Sequence, residues 1–593
     1  METNIKQRIS DLREWMKRNG ISAFIIPSTD PHLSEYVAPH WQSREWISGF
    51  SGSAGTCVVT SRKAGLWTDS RYFLQAASQL EGSGIELFKE MLPETPSIAQ
   101  FLCSELQSGE SVGIDAMVFS TQGAQSLEKE LEGAGISLKN AGDPMAALWE
   151  GRPEISEAPL FPLDLAFAGK STAQKLQEIR EEVYQAGAEA LFVSALDDIA
   201  WTLNMRGSDV HCNPVFVSYL YIDKEQTHLF VNPKKVPSDV KNLLQAENIL
   251  LHPYQEAENF LLQLHDKRIL LDLPKTNAAI YAAACAHCKV IAGASPICLM
   301  KSIKNTIEQE GFRHAMTRDG IAMVKFLKWL KPAVEAGGET ELSIDRKLCS
   351  LRAEQANFRG ISFDTIAGYG AHGAIVHYEP TPETDIPIKP EGLLLLDSGG
   401  QYLDGTTDLT RTIALGPTTE EERIDFTLVL KGFLQLMNVV FPDGTCGTQL
   451  DVLARQAMWK AGINYLHGTG HGVGSFLCVH EGPHQVRMNY MPTILKPGMT
   501  LTDEPGIYKA GKHGVRTENT LLIVPAQETE FGKFYRFEPL TLCPIDKAPI
   551  IKEMLSAEEV QWFNEYQQLV YERLASHLDE EERIWLKEAT SAL

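Results

Sequence analysis

Leu393-Leu-Leu-Leu-Asp-Ser-Gly-Gly-Gln-Tyr-Leu-Asp-Gly-Thr-Thr-Asp-Leu-Thr-Arg-Thr412 is the stretch around which the rest of the chain is read. Four leucines run into Asp397, a turn signal follows at Asp404-Gly405, and a Thr-rich run then carries Asp408. This pattern predicts a β-hairpin with both acids on paired strands. Strands present side chains to fixed faces with period two, so two carboxylates on neighbouring strands converge on one point more rigidly than loop residues could. Asp404 needs no such role, because Asp is a common turn former.

Three later stretches hold the other reactive side chains. In His467-Gly-Thr-Gly-His-Gly-Val-Gly474 two histidines lie four apart, a spacing that would share one helix face, but four glycines in eight residues predict a loop instead. Its glycines let the backbone come close to whatever His467 and His471 address. It continues through Ser475-Phe-Leu-Cys-Val-His-Glu-Gly-Pro483, which holds His480. Met499-Thr-Leu-Thr-Asp-Glu-Pro-Gly506 reads as a strand ending at Glu504 before a Pro-Gly turn, and Val515-Arg-Thr-Glu-Asn519 opens an apolar strand at Glu518, with Arg516 on the same face. Four carboxylates drawn to one spot repel, and at neutral pH some must take up protons unless cations sit between them.

Around this core the chain reads as an α/β and α+β protein too long for a single core. Of its 593 residues, 44% are hydrophobic and 22% charged, the balance of an ordinary globular protein. A net charge of −23 argues against nucleic acid or an anionic membrane surface as partner. The opening residues lack the apolar core of a signal peptide and no later run is long enough to span a bilayer, so a cytoplasmic location is expected. Ten cysteines without a framework spacing fit reduced thiols. Cys285-Ala-His-Cys288 lacks the second pair a zinc site needs. Gly368-Tyr-Gly-Ala-His-Gly373 fits a dinucleotide fingerprint in letters only, since the strand-like Ala374-Ile-Val-His-Tyr378 follows where a helix is required.

Residues 1–155 read as a first α/β domain, with an amphipathic helix through Ile9, Leu12, Trp15 and Met16 and strands at Ile21–Ile26, Thr56–Thr60 and Ala64–Asp69. A Pro-rich linker follows Leu148-Trp-Glu-Gly-Arg-Pro153. The opening theme then returns: Leu176, Ile179 and Val183 give a helical face, followed by a strand, a turn with Ser and Asp, and another helix, so residues 156–303 are expected to repeat the first domain. Residues 304–593 form the third domain, opening on a helix capped around Asn305-Thr306 and stopped at Pro332, and closing on a helix capped at Ser556-Ala-Glu-Glu559.

Taken in order and in their local words, Asp397, Asp408 eleven residues on, His471, Glu504 and Glu518 resemble the five-ligand signature of the pita-bread metallopeptidases. The words Asp-Gly-Thr-Thr-Asp-Leu-Thr-Arg-Thr, Val-His-Glu-Gly-Pro and Thr-Asp-Glu-Pro-Gly are most similar to the three-domain Xaa-Pro aminopeptidases, and Ile47-Ser-Gly-Phe50, Leu66–Gln75 and Arg206-Gly-Ser-Asp-Val210 extend the likeness forward. The resemblance implies two creatinase-N-like α/β domains before a pita-bread catalytic domain. It implies two divalent metal ions, most suitably Mn2+ for an oxygen-rich site with one imidazole, with Co2+ or Zn2+ as alternatives. Asp408 and Glu518 would bridge the ions about 3.5–4 Å apart, Asp397 completing one and His471 with Glu504 the other. A metal-bridging water is then the nucleophile and Glu504 the proton shuttle. His377 and His480 match the family's substrate-contacting histidines, His467 a supporting one, and Arg71 a substrate-reaching arginine of the first domain. Arg516 is expected to orient Glu518 or the water. The activity implied is release of the N-terminal residue from peptides with proline second, by a homodimer. Prolidase activity on Xaa-Pro dipeptides is the alternative within the family, and a peptide-binding scaffold without catalysis the alternative outside it.

Overall fold

A computed structural model describes residues 2–593, with side chains from Asn4 onward. The chain divides into two compact units, one comprising residues 1–163 and 170–298, the other residues 164–169 and 299–593.

The first unit holds two six-stranded sheets of one topology. In the first, the strands Glu86–Lys89, Ala64–Thr68, Thr56–Thr60, Ala23–Pro27, Ser111–Ile114 and Ser137–Asn140 lie side by side in that order. In the second, Ile249–His252, Thr227–Val231, Ser218–Asp223, Ala190–Val193, Arg268–Leu271 and Lys289–Ala292 occupy the same six places. In both, the strand two places from the first edge is antiparallel to its neighbours and every other pair is parallel. The repeat seen weakly in letters is therefore complete in topology. Ile9, Leu12 and Met16 are buried on one side of the helix Glu2–Arg18, and Leu176, Ile179 and Val183 on one side of the helix Thr172–Gln185. His32 joins the repeats: its Nδ1 lies 2.9 Å from the Ser194 carbonyl and its Nε2 3.0 Å from the Tyr254 hydroxyl.

The second unit is built on the quoted leucine run. The strand Leu393–Ser398 is the centre of an antiparallel sheet, flanked by Ile366–Tyr369 and Leu409–Ala414. Period two sorts its side chains. Leu394 and Leu396 pack with Phe326, Leu330, Ile344 and Leu348, from the helices Thr306–Ala336 and Glu341–Ala353. Leu395 packs on the opposite face with Ile366 and Tyr378, and Asp397 shares that parity. The turn at Leu403-Asp404 belongs to a smaller inner hairpin, Gly400–Tyr402 with Gly405–Thr406. Asp408 thus falls one residue before the returning strand Leu409–Ala414 and not on it. A four-stranded sheet orders Val440–Pro442, Gly532–Pro539, Asn519–Thr529 and Thr500–Asp503.

Several expectations need correction. The helix from Thr306 runs through Pro332 to Ala336. Pro332 forgoes one hydrogen bond near the C-terminal end, while Leu330 and Val334 stay fully buried on either side of it, so packing carries the helix past the proline. By compactness Asp164–Gly169 groups with residues 299–593, where Asn305 Nδ2 donates to the Ala168 carbonyl at 2.9 Å. Ala374–Tyr378 is no strand: Gly370–Ala374 forms a short 3-10 helix followed by a turn. The capping boxes at Asn305/Glu308 and Ser556/Glu559 are as expected.

Candidate metal and peptidase site

The face of the central sheet that carries Asp397 also carries Thr410, its cross-strand partner, and Thr412. Thr410 Oγ1 donates to Glu518 Oε2 at 2.8 Å, and the Glu518 N–H donates to the Thr410 carbonyl at 3.1 Å. Glu518 is thereby fixed by side chain and main chain to the strand that follows Asp408. Glu504 follows directly on the strand Thr500–Asp503, its N–H donating to the Thr469 carbonyl at 2.8 Å. His471 Nε2 lies 3.4 Å from Asp408 Oδ2 and 3.7 Å from Glu504 Oε1. One ligand atom each of Asp408, His471 and Glu518 falls within 4.8 Å of the others. Glu504 joins them through His471, and Asp397 through its electrostatic coupling to Asp408 and Glu518.

His471 does not sit in the expected loop. It is the middle residue of a three-residue strand, Gly470–Gly472, paired with Glu481–Val486. The glycine before it makes this possible: a Cβ at Gly470 would lie 1.8 Å from the Thr502 carbonyl oxygen, so only glycine lets the two backbones touch. The His471 Nδ1 stands 2.9 Å from the Gly472 carbonyl, which can only accept. The Nδ1 proton is therefore held by the backbone, and Nε2 faces the acids.

Arg516 lies among the acids. Its Nη2 donates to Asp397 Oδ2 at 2.6 Å, its Nε to Thr410 Oγ1 at 3.1 Å, and its Nη1 to the Tyr508 hydroxyl at 2.8 Å and the Val376 carbonyl at 3.3 Å. It holds Asp397 directly and reaches Glu518 only through Thr410, because the chain breaks its extended run at Thr517-Glu518, between the strands His513–Arg516 and Asn519–Thr529. Tyr508 then gives its own proton to His467 Nε2 at 2.8 Å, since His467 Nδ1 donates to the Gly468 carbonyl at 2.7 Å. Asp397, Arg516, Tyr508 and His467 form one chain. Tyr508 and Thr410 are the functional neighbours that sequence reasoning missed. Thr410 could have been found from its register opposite Asp397.

His480 lies against His471 in an edge-to-face contact, ring centroids 4.4 Å apart. His377 follows the residue whose carbonyl Arg516 holds. Arg71 lies in the other compact unit, where Asp69 and Glu35 pair with it at 2.7 and 3.3 Å.

Burial, and then the neighbouring carboxylates Asp397 and Glu504, hold Asp408 well above the usual carboxylate range. Glu518 is raised likewise by burial, then by Asp408, Asp397 and Glu504. Burial pushes the Tyr508 phenol up to about 12. The donor set fits divalent cations on three counts. Its carboxylates repel one another, His471 Nε2 faces carboxylate oxygens, and Asp397 Oδ1 is buried without a protein partner.

Comparison with known proteins agrees with this geometry. Residues 310–525 match the model of metallopeptidase family M24, 533–593 that of the C-terminal region of peptidase M24, and 8–148 and 151–308 two models of the creatinase/prolidase N-terminal domain. The chain belongs to metallopeptidase family M24, with two creatinase-type domains ahead of a pita-bread domain. Within that class its likeness to Xaa-Pro aminopeptidases runs the whole length. It is 40% identical to Xaa-Pro aminopeptidase 1 of Dictyostelium discoideum over 96% of this chain and 93% of that one. It is 39% identical to a probable Xaa-Pro aminopeptidase P of Laccaria bicolor over 100% and 94%. The crystal structure of the X-prolyl aminopeptidase of Caenorhabditis elegans, described as a cytosolic enzyme with a di-nuclear active site, superposes with a TM-score of 0.95 at 34% identity, covering 99% of this chain and all of that one. An Xaa-Pro dipeptidase of Bacillus anthracis, 22% identical with a TM-score of 0.52, shares the fold over 63% of this chain.

Proposed function

We propose that the chain is a dinuclear-metal aminopeptidase that releases the N-terminal residue from peptides with proline in second position. The observation that carries the reading is the gathering of Asp408, His471 and Glu518 at one point, with Glu504 and Asp397 beside them, in a chain that resembles Xaa-Pro aminopeptidases from end to end. Asp397, Asp408, His471, Glu504 and Glu518 would hold two divalent cations, for which the oxygen-dominated donor set favours manganese. Such ions supply Lewis acidity to the scissile carbonyl and acidify a water.

The chain's own residues do the rest. Arg516 keeps the Asp397 carboxylate charged and aimed, and Thr410 fixes Glu518 Oε2. Glu504 moves the proton between the attacking water and the departing proline nitrogen. His377 and His480 contact the peptide and steady the oxyanion that forms at its carbonyl. Four clustered carboxylates favour a substrate that brings an ammonium, which requires a free N-terminus. An Xaa-Pro bond has no N–H and a fixed φ near about −65°, so a pocket can recognise it by shape. The cytosol suits ten cysteines without a disulfide-framework spacing, and by likeness to the family the working form is a homodimer.

Four peptides assayed with manganese test this: Xaa-Pro-Yaa, Xaa-Ala-Yaa, N-acetylated Xaa-Pro-Yaa and the dipeptide Xaa-Pro. Cleavage of the first far ahead of the others is expected. Cleavage of the dipeptide alone makes the protein a prolidase, equal cleavage of the alanine peptide a general aminopeptidase, and saturable binding without cleavage a scaffold.

A further inference from the structure

Outside the acid cluster, the catalytic unit buries a second group of charges next to His480 in the chain. Glu481, the residue after His480, is met by two ammonium groups: Lys301 Nζ at 3.2 Å from Oε2, and Lys304 Nζ at Oε1. All three side chains are 1% exposed. The Lys304 ammonium also donates to the Lys301 carbonyl at 3.0 Å. Taking three charges out of water is costly, and apolar side chains of similar volume would pack there as stably or more so. The arrangement therefore calls for a reason other than stability.

Its place supplies one. Glu481 begins the strand Glu481–Val486 and pairs with Gly472, whose carbonyl takes the His471 Nδ1 proton. Between His471 and Gly472 the register shifts, the kind of irregularity that re-aims a side chain. The lysines come from the segment that opens the unit, and that segment is itself fastened to the strand leading to Glu504. Ile303 bridges Met499, and the Lys304 N–H donates to the Gly498 carbonyl at 2.9 Å. One ionic knot thus ties the opening segment to the turn that carries His480 and to the bulge beside His471.

We propose that Lys301, Lys304 and Glu481 are positioning residues for turnover, acting by fixing the imidazole of His480 against the site. This rests on the reading above that His480 contacts the substrate. The test replaces the whole triad by apolar side chains, Lys301→Met with Lys304→Met and Glu481→Leu, so that the three charges are removed together. The metal-loaded variant is assayed on Xaa-Pro-Yaa beside His480→Ala and the combination of both. Expected are an unfolding temperature and two metals per chain like those of the parent, an unchanged KM, and a kcat lower by about 10–100-fold. In the His480→Ala background the triad change should cost nothing further, a non-additivity that general loosening does not produce. Parental kcat in the triad variant while His480→Ala is impaired overturns the positioning role and leaves the proposed function intact. Parental kcat in His480→Ala itself removes the substrate role of that histidine and the proposal with it. Should the triple variant not fold, Lys304→Met, which leaves one carboxylate on one ammonium, is read by the same criteria.

Discussion

Replacing Arg516 by lysine separates the charge of this residue from its shape. The guanidinium, 1% exposed, serves four acceptors at once: Asp397 Oδ2 at 2.6 Å, the Tyr508 hydroxyl at 2.8 Å, Thr410 Oγ1 at 3.1 Å and the Val376 carbonyl at 3.3 Å. Burial alone would depress its pKa, but Tyr508, Asp397 and Glu504 outweigh that and hold it charged throughout. A lysine ammonium keeps the charge but, as a point donor on a flexible stem, serves Asp397 at the expense of the others. Tyr508, Thr410 and the Val376 carbonyl each lose a buried partner at about 1 kcal/mol apiece, so Arg516→Lys should destabilise by roughly 3 kcal/mol. In a unit of this size that corresponds to about 5 °C in Tm. Arg516→Met strands the Asp397 carboxylate and should cost about 3–5 kcal/mol. Because Asp397 is then less firmly aimed, Arg516→Lys should also lower kcat or manganese affinity by about 10–100-fold. Thermal unfolding with saturating manganese, elemental analysis and initial rates on Xaa-Pro-Yaa read all of these. A lysine variant with parental Tm, metal affinity and kcat would show that the fork geometry does not hold Asp397, and would refute the reasoning.

Glu504→Gln should abolish turnover, whereas His377→Ala and His480→Ala should slow it by about 10²–10⁴ and keep their metals; a histidine variant that folds but loses metal would mark a misassigned ligand. Asp408 and Glu518 have raised carboxyl pKa values in the metal-free fold, so their contribution to stability is full below the ordinary carboxylate range and is lost as pH rises through the raised values. The gain in Tm on adding manganese should therefore widen from acid to neutral pH, and calorimetry in buffers of different ionisation heat should show protons released on binding; a pH-independent gain without proton release sinks this. Gly470→Ala places a methyl 1.8 Å from the Thr502 carbonyl oxygen, so it should displace His471 and weaken metal binding in a chain that still folds; parental metal affinity would contradict that.

The sequence made most of this site readable because its signals are local. A run of four leucines ending in an acid fixes a buried strand and the parity of Asp397, and glycines flanking a histidine announce close backbone approach. Where the reading failed, a local rule was carried across a break in the backbone. Arg516 and Glu518 are two residues apart and would share a face on one strand, but the run is interrupted at Thr517. Periodicity then says nothing about their partners, and the guanidinium goes to Asp397, 119 positions away. Pro332 failed for the complementary reason: a local stop signal yielded to tertiary packing on Leu330 and Val334. The repeat of the front domains kept its strand order while its letters drifted, since burial and pairing constrain pattern more than identity.

Lys301, Lys304 and Glu481 were out of reach of any such rule. Glu481 lies 180 and 177 positions from the two lysines, and no motif requires cations at those places. In sequence they look like solvated surface charges. Yet the same distance makes the contact informative once it is seen. Long-range pairing of wholly buried charges adds little net stability, so where it falls on the residue after His480 and opposite the residue after His471, the geometry it imposes is the quantity to measure. Arg516 on one side of the acids and the lysine pair on the other then divide the work. The guanidinium sets the carboxylates and the ammonium groups set the histidines, and variants in the two groups should combine additively in kcat, since one pairs with Asp397 and the other with Glu481.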